Sequence, residues 1–146
     1  MRVLVQRSGN ANCIVDNKII SKIDSGLVLF VGFTQNDNEE IIDYMVNKVI
    51  NLRIFEDENN VMNKSILDYG GEILSISQFT LYADTKKGNR PSYIKALSGD
   101  EAIKLYELFN KKLNEYIKTY SGIFGADMHI NLENIGPTTI MLEKEN

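Results

Sequence analysis

The sequence predicts a single α+β domain with a mostly antiparallel sheet and two main helices. Short apolar runs of strand length recur along the chain, and two longer segments carry apolar residues at helical spacing. Residues 127–133 alternate strictly between polar and apolar side chains. The 146 residues fit one domain, which we assign to residues 1–146 because no Pro-, Gly- or Ser-rich linker divides the chain.

The N-terminal part of the chain is predicted to form strands. Residues 2–6 have the pattern of a strand, and residues 11–15 that of its hairpin partner, with Gly9-Asn10 as the turn. The nearly continuous apolar run over residues 26–33 is typical of a strand buried on both faces.

A first helix is predicted over residues 37–52. Asp37 and Glu40 resemble a capping box at its start. Its apolar stripe consists of Ile41, Ile42, Met45, Val46, Val49 and Ile50. Residues 52–56 are predicted to form another strand, and residues 57–60 a polar turn.

The middle of the chain combines a strand, a polar loop and the second helix. Residues 72–81 are predicted to form a strand, and residues 84–93 a basic loop. Ser98 and Glu101 form a capping box that starts a helix. The apolar face of that helix consists of Ile103, Leu105, Tyr106, Phe109, Leu113, Tyr116 and Ile117.

The C-terminal part is predicted to form two strands. Met128, Ile130 and Leu132 alternate with polar residues, which indicates a half-buried antiparallel strand. Residues 134–137 are predicted as a turn, and residues 138–142 as the final strand.

Charge and composition exclude several classes of function. A net charge of −4 and a pI near 5.0 argue against a protein that coats nucleic acid, although a local basic patch is compatible with them. A single cysteine, an N-terminus without a signal-peptide pattern and no apolar stretch near ~20 residues lead us to expect a cytoplasmic protein without a membrane partner.

The chain has few residues suited to acid–base or metal chemistry. With one histidine and one cysteine it lacks the ligands of an ordinary zinc site, and no phosphate-binding glycine motif is present, so we expect no metal and no cofactor. His129 is expected to be a half-exposed residue of its strand, and Cys13 a small apolar residue.

Three segments combine residues that suit a binding site. Ser77 to Leu81 carries hydroxyls, an amide and an aromatic ring that could form a small binding site. The alternative is that these polar groups only form hydrogen bonds within the turn at the end of a strand. In Asn134 to Thr139, Gly136-Pro137 could direct backbone carbonyls at an ammonium group, or simply form a hairpin turn. Lys86, Lys87 and Arg90 lie in a loop that suits a single-stranded RNA end, or is merely solvated.

Together these segments resemble the D-aminoacyl-tRNA deacylase family. The resemblance rests on Ser-Gln-Phe-Thr-Leu at residues 77–81 and on an Asn-x-Gly-Pro-x-Thr motif at residues 134–139. Shorter matching stretches extend it over essentially the whole chain: Gln6-Arg7, Arg53-Ile54-Phe55, residues 88–92 and Ala126-Asp127-Met128. Ile135 and Thr138 depart from the Asp and Val that are frequent in the family, which should not damage a site built from backbone carbonyls.

The resemblance implies a barrel-like β-structure with flanking helices, assembled as a homodimer with active sites at the subunit interface. It implies that the Gly136-Pro137 bond is cis and that this pair projects into the other subunit's pocket beside Ser77 to Leu81. Its carbonyls would hold the substrate's α-amino group, so that an L side chain collides with the pocket wall and a D side chain points to open space. The implied partner is the 3′ end of aminoacylated tRNA, and not DNA.

The implied reaction is chiral proofreading by hydrolysis of the ester of D-aminoacyl-tRNA, or of glycine mischarged onto a non-cognate tRNA. In one mechanism Thr80 is the nucleophile, which needs an activating base. In the other, the ribose 2′-hydroxyl of the tRNA assists attack by water, while the protein positions the ester and supplies backbone N–H donors. The shortage of acid–base residues favours the second mechanism, in which Phe79 packs on the terminal adenosine and Gln78 orients the ribose. Ser77 completes the catalytic candidates.

Alternatives from other classes remain open at this point. A non-catalytic module would bind tRNA acceptor ends without ester loss. A small-molecule esterase or amidase would use Cys13 or Thr80 and act on simple esters that lack RNA. An interaction domain would need Gly136-Pro137 only as a hairpin turn.

Overall fold

Eight strands, three α-helices and one 3₁₀ helix make up the computed structural model, which describes residues 1–146. The strands are β1 (Arg2–Val15), β2 (Lys18–Ile23), β3 (Gly26–Gly32), β4 (Phe55–Glu56), β5 (Met62–Lys64), β6 (Glu72–Ser77), β7 (Thr119–Ser121) and β8 (His129–Glu143). The helices are α1 (Glu39–Asn51), α2 (Ile66–Tyr69), the 3₁₀ helix (Phe79–Tyr82) and α3 (Gly99–Asn114). The predicted α+β class is confirmed.

The main sheet is built around β1, which pairs antiparallel with three strands. Its first half pairs with β3 and its second half with β2, while β8 runs along its other edge. The sheet continues from β3 to β6 and from β6 to β7, and both of these pairings are parallel. The sheet is therefore mixed, so the prediction of a mostly antiparallel sheet is not confirmed.

The sheet curls into a nearly closed barrel, in which β2 lies against β6 and β7. The smaller of two cores contains only strand residues: Ala11, Cys13, Ile23, Val28, Leu74 and Ile76. The larger core lies between the other face of the sheet and helices α1 and α3. Val28 belongs to the first core and its neighbours Leu27 and Leu29 to the second, so β3 is buried on both faces as predicted.

The prediction of a hairpin turn at Gly9-Asn10 is wrong, because β1 runs through these residues as one continuous strand. The chain reverses at Asp16-Asn17 instead. Both residues have positive φ, 50° and 63°, as a type I′ hairpin turn requires. Asp and Asn adopt this conformation more readily than other non-glycine residues, which explains the position of the turn.

Helix α1 is capped by Asn38 rather than by the predicted Asp37. The Asn38 side chain accepts a hydrogen bond from the Ile41 backbone N–H at 3.0 Å. The Asp37 carboxylate accepts instead from the Thr34 N–H and from the Met1 α-amino group, both at 2.8 Å. The apolar stripe predicted for this helix is buried along its whole length.

Four further predicted strands have different bounds in the structure. β6 ends at Ser77, because the next residues turn into the 3₁₀ helix. The strand predicted from residue 52 is reduced to β4, which pairs with β5 across the predicted polar turn. The two predicted C-terminal strands are one strand, β8, and Gly136-Pro137 form a bulge within it rather than a hairpin turn.

Helix α3 begins after Ser98 as predicted, although the Ser98 hydroxyl bonds the Glu101 carboxylate at 3.3 Å and caps no backbone N–H. Tyr106 and Phe109 are buried on its apolar face. Tyr116 lies beyond the end of the helix and is 58% exposed. No helix of the chain combines the length and the hydropathy of a membrane span.

Replacing Phe109 with Ala should destabilise the fold strongly, because this ring is 0% exposed within the larger core. A cavity of this kind lowers the free energy of unfolding by about 3–5 kcal/mol. Glu107→Ala on the exposed face of the same helix is the matched control, with an expected change within about 0.5 kcal/mol. Urea denaturation of the two variants and the parent chain measures both, and equal midpoints would contradict the packing described.

Candidate functional site

A pocket of about 570 Å³ opens where β3 and β6 end. The two strands run parallel, with Val31 opposite Ser77, and the Gln78 N–H extends the pairing by donating to the Val31 carbonyl at 2.7 Å. Because the carboxyl ends of parallel strands meet at one edge of a sheet, Phe33 after β3 and residues 77–79 at the end of β6 lie together at the pocket. Twelve of the eighteen lining residues are hydrophobic, so the pocket is mainly apolar.

Three of the four predicted catalytic residues line this pocket. Ser77, Gln78 and Phe79 belong to its wall, whereas Thr80 does not. The Phe79 ring is 57% exposed and lies edge-on to the Tyr93 ring, with 5.0 Å between the centroids. The pocket therefore presents an accessible aromatic surface at its rim.

The Thr80 hydroxyl is not hydrogen-bonded to a base. The Gln78 amide donates a hydrogen bond to the Thr80 Oγ, and an amide N–H cannot accept a proton. Asp127 contributes the only carboxylate of the pocket wall, and its side chain is 99% exposed. His129, the single histidine of the chain, is not part of that wall. The Gln78 amide, which is not a base, is therefore the side chain to which the Thr80 hydroxyl is hydrogen-bonded.

The 3₁₀ helix that carries Phe79 and Thr80 is held from two sides. The Arg2 Nη1 donates to the Leu81 carbonyl at 2.7 Å, and its guanidinium lies 4.5 Å from the centre of the Tyr82 ring. Tyr82 is buried, and this burial raises the pKa of its hydroxyl. Strand β3 approaches so closely that a Cβ on Gly32 would lie 2.9 Å from the Gln78 carbonyl oxygen. These contacts fix the backbone that follows β6.

The basic loop begins and ends beside the pocket. Asp84 and Ser92 exchange backbone hydrogen bonds of 2.8 and 2.9 Å, which close residues 84–92 into a hairpin-like loop. Tyr93, the next residue, lines the pocket. The predicted tRNA contacts in this loop are exposed, form no ion pair and do not line the pocket: Lys86, Lys87 and Arg90.

Sequence reasoning missed the wall of the pocket opposite residues 77–79. This wall comes from the loop before α3 and the loop before β8, and includes Leu97, Phe124 and Gly125. Gly125 has a φ of +79°, which marks a tight turn next to Phe124. The stretch Ala126-Asp127-Met128 contributes to the same wall, but its pattern alone assigns it no role.

Gly136 and Pro137 lie on an exposed bulge apart from the pocket. Gln6 stands opposite Thr139 and Ser8 opposite Asn134, so that residues 135–138 face Arg7 alone. The Gly136-Pro137 bond is cis, and neither residue lines the pocket of its own chain.

Arg7 supports this bulge from β1. Its Nε donates to the Ile135 carbonyl at 3.3 Å, and its Nη1 donates to the Ile54 carbonyl at 2.8 Å. The guanidinium therefore ties the bulge to the segment that leads into β4. A Cβ on Gly136 would lie 3.0 Å from the Arg7 Nη2, so the contact leaves little room at this position.

Cys13 and His129, the single cysteine and the single histidine of the chain, do not form a catalytic pair. Cys13 is 0% exposed within the barrel core, and burial raises the pKa of its thiol. The His129 side chain is 74% exposed, and its imidazole is 3.9 Å from the Asp127 carboxylate. No group of three or more His, Cys, Asp or Glu side chains is arranged to hold a metal ion.

Two relatives match the chain over nearly its whole length. A D-aminoacyl-tRNA deacylase of Flavobacterium psychrophilum is 51% identical, and the alignment spans 100% of this chain and 99% of the relative. A D-aminoacyl-tRNA deacylase of Listeria monocytogenes is 52% identical, with coverages of 99% and 97%.

Two solved structures share the fold. One is named c-Myc DNA Unwinding Element Binding Protein; it is 38% identical, with a TM-score of 0.92 over 100% of both chains. The other, a probable eukaryotic D-amino acid tRNA deacylase, has a TM-score of 0.82 over 97% of both chains, and at 19% identity it supports the fold alone.

The model of the D-Tyr-tRNA(Tyr) deacylase family matches residues 4–143. The match includes the pocket residues 77–79 and the bulge at Gly136-Pro137, and it agrees with the relatives and with the expected resemblance. The chain therefore belongs to the D-Tyr-tRNA(Tyr) deacylase family.

Proposed function

We propose that this protein hydrolyses the ester bond of D-aminoacyl-tRNA and releases free tRNA and the D-amino acid. The observation that carries the proposal is the position of residues 77–79 on the wall of a mainly apolar pocket, in a chain of this family. The same reaction would remove glycine mischarged onto a non-cognate tRNA, because glycine has no side chain to be rejected. Because the proposed substrate is used in translation, we expect the protein in the cytoplasm.

The rim of the pocket suits the 3′ end of tRNA. The exposed face of Phe79 offers a stacking surface for the terminal adenine, and Tyr93 supports that ring from its edge. Lys86, Lys87 and Arg90 are exposed in the loop that leads to Tyr93, and we expect them to contact the phosphates of the preceding nucleotides. We expect RNA rather than DNA, because the proposed attack on the ester uses the ribose 2′-hydroxyl, which DNA lacks. Since the net charge of the chain is −4, we expect the phosphate contacts at this loop rather than over the whole surface.

The chemistry depends on positioning more than on acid–base groups. The Thr80 hydroxyl accepts from Gln78 and is not hydrogen-bonded to a base, so we assign attack on the ester to water, assisted by the ribose 2′-hydroxyl of the substrate. Backbone N–H groups near Phe79 and Thr80 would stabilise the developing oxyanion, and Arg2 holds this turn through the Leu81 carbonyl. Gln78 and Ser77 line the pocket and would orient the ribose. No metal and no cofactor enter this scheme.

Selection between D and L substrates would require a second copy of the chain. The Gly136-Pro137 pair is exposed on β8 and does not line the pocket of its own chain. One edge of β8 pairs with β1, and its other edge pairs with no strand. In a homodimer this bulge would enter the pocket of the other subunit. Its carbonyls would bind the substrate's α-amino group, so that an L side chain meets the pocket wall.

Purified protein should deacylate D-Tyr-tRNA rapidly and leave L-Tyr-tRNA nearly intact, with chelator present throughout. Selective loss of the D ester measures the activity and the chiral preference together, because the two substrates differ only in one stereocentre. Binding of tRNA without loss of either ester would favour a non-catalytic module. Equal cleavage of both esters, or of simple esters that lack RNA, would favour an esterase and contradict the role of the bulge.

Replacing Thr80 with Ala should leave deacylation of D-Tyr-tRNA within about tenfold of the parent rate. Only the hydroxyl that accepts from Gln78 is lost, and positioning by one neutral hydrogen bond is worth about 0.5–1.5 kcal/mol. Thr85→Ala in the exposed basic loop is the matched control. Complete loss of turnover with unchanged thermal stability would contradict the substrate-assisted scheme and favour Thr80 as the nucleophile.

Replacing Gly136 with Ala should lower deacylation of D-Tyr-tRNA on the order of 100-fold, the factor expected when a binding group moves by about 1 Å. The new Cβ would lie 2.6 Å from the Thr138 hydroxyl and 2.7 Å from the Thr138 nitrogen, at a φ of +115°. Gly70→Ala is the matched control, because Gly70 also has a positive φ, +83°, but no atom within 4 Å of the added carbon. Equal activity of the two variants would contradict a role for this bulge.

Mixing the Gly136→Ala protein with a Phe79→Ala protein tests whether the bulge serves the other subunit. In a mixed dimer, one pocket would receive an intact Phe79 from one chain and an intact Gly136 from the other. Recovery of activity after subunit exchange is the expected result. No recovery, although mixed dimers form, would place the two residues in one chain's site.

A further inference from the structure

Asn134 occupies the point at which β8 leaves its pairing with β1. It stands opposite Ser8, and the pairing resumes where Thr139 stands opposite Gln6. Between these points the four residues of the bulge have only Arg7 across from them. A bulge of this size loses ladder hydrogen bonds, so its backbone needs other partners to keep one position.

The Asn134 side chain makes every hydrogen bond that an amide can make. Its Oδ1 accepts from the Gln6 Nε2 and from the Thr139 hydroxyl, each at 3.1 Å. Its Nδ2 donates to the Arg7 carbonyl at 3.2 Å and to the Thr138 carbonyl at 3.0 Å. Two lone pairs and two N–H groups are thereby all used.

These four bonds connect both ends of the bulge to each other and to β1. Gln6 and Arg7 belong to β1, whereas Thr138 and Thr139 follow Pro137 directly. The Thr139 hydroxyl is also 3.1 Å from the Pro137 carbonyl oxygen, and its single proton can serve that oxygen or the Asn134 Oδ1. The amide thus replaces the missing ladder and spans the Gly136-Pro137 pair.

We infer that Asn134 is a positioning residue that sets the D-over-L selectivity of the site by fixing where the Gly136-Pro137 carbonyls lie. The inference rests on the proposed function, since it assigns to Asn134 the placement of the group that binds the substrate's amine. Asn134 itself does not touch the substrate. Its loss would let the bulge shift, and the pocket would then tolerate an L side chain better.

Asn134→Asp is the sharpest variant, because it keeps the size of the side chain and removes both N–H donors. A carboxylate oxygen would then face the Arg7 and Thr138 carbonyl oxygens, which repel it. Asn131→Asp is the matched control on the same strand, where the exposed amide makes a single side-chain bond of 3.1 Å to Asn12 and lies outside the bulge.

The experiment measures initial deacylation rates of D-Tyr-tRNA and L-Tyr-tRNA for the parent protein and both variants, with enzyme high enough to resolve the slow L reaction. The ratio of the D rate to the L rate should fall on the order of tenfold for Asn134→Asp, which is what two ordinary hydrogen bonds are worth. The ratio should stay unchanged for Asn131→Asp. A merely structural role would lower both rates by the same factor and leave the ratio constant, and that result would overturn the inference.

A second variant covers the case in which Asn134→Asp does not fold, as judged by its thermal denaturation midpoint. Gln6→Met removes one of the four bonds of Asn134, together with the longer bond of 3.3 Å from the Gln6 Nε2 to the Thr139 hydroxyl, and keeps a side chain of similar length. It should lower the ratio in the same direction by about two- to threefold, and an unchanged ratio would again overturn the inference. The parent protein separates the two hypotheses: no D preference there contradicts the proposed function, whereas a parent preference that Asn134→Asp retains contradicts the inference alone.

Discussion

The register of β1 against its neighbours is the constraint on which both parts of the site depend. Along one edge, the pairing with β3 sets where β3 and then β6 end, and so places Ser77 at the pocket. Along the other edge, the pairing with β8 breaks opposite Arg7 and pushes Gly136-Pro137 outward. Because side chains alternate between faces, a slip of one residue in β1 would exchange the two cores and displace pocket and bulge together.

The elements that are predicted correctly are those whose spacing of apolar residues indicates which side chains are buried. The continuous apolar run of β3 and the helical stripe of α1 are local signals, and both match the structure. The course of β1 through Gly9-Asn10 is not determined locally, because β1 pairs with β8 on both sides of these residues, at Ser8 and at Ala11. The parallel pairings with β6 and β7 likewise depend on which segments meet, and β7 has only three residues.

Some residues of the site can likewise be recognised from local sequence, whereas others are brought to it only by the fold. Residues 77–79 are recognisable because hydroxyl, amide and aromatic groups stand together where a strand ends, and the structure places all three on the pocket wall. Thr80 belongs to the same motif, but the 3₁₀ turn removes it from the wall, and a strand prediction through residue 81 cannot anticipate this. Leu97 and Phe124 come from loops far apart in the chain, and only the folded structure brings them to the pocket.

Two residues of the bulge, Ile135 and Thr138, make their hydrogen bonds to its supports through the backbone. Ile135 contributes its carbonyl to Arg7, and Thr138 contributes its carbonyl to Asn134, so both residues act through backbone atoms that any side chain would supply. The groups that act through their side chains are Arg7, Asn134, Gln6 and Thr139. A filter that is built from carbonyls and aimed at an α-amino group would leave the substrate's side chain unread. Such a site would distinguish handedness while accepting many different D-amino acids.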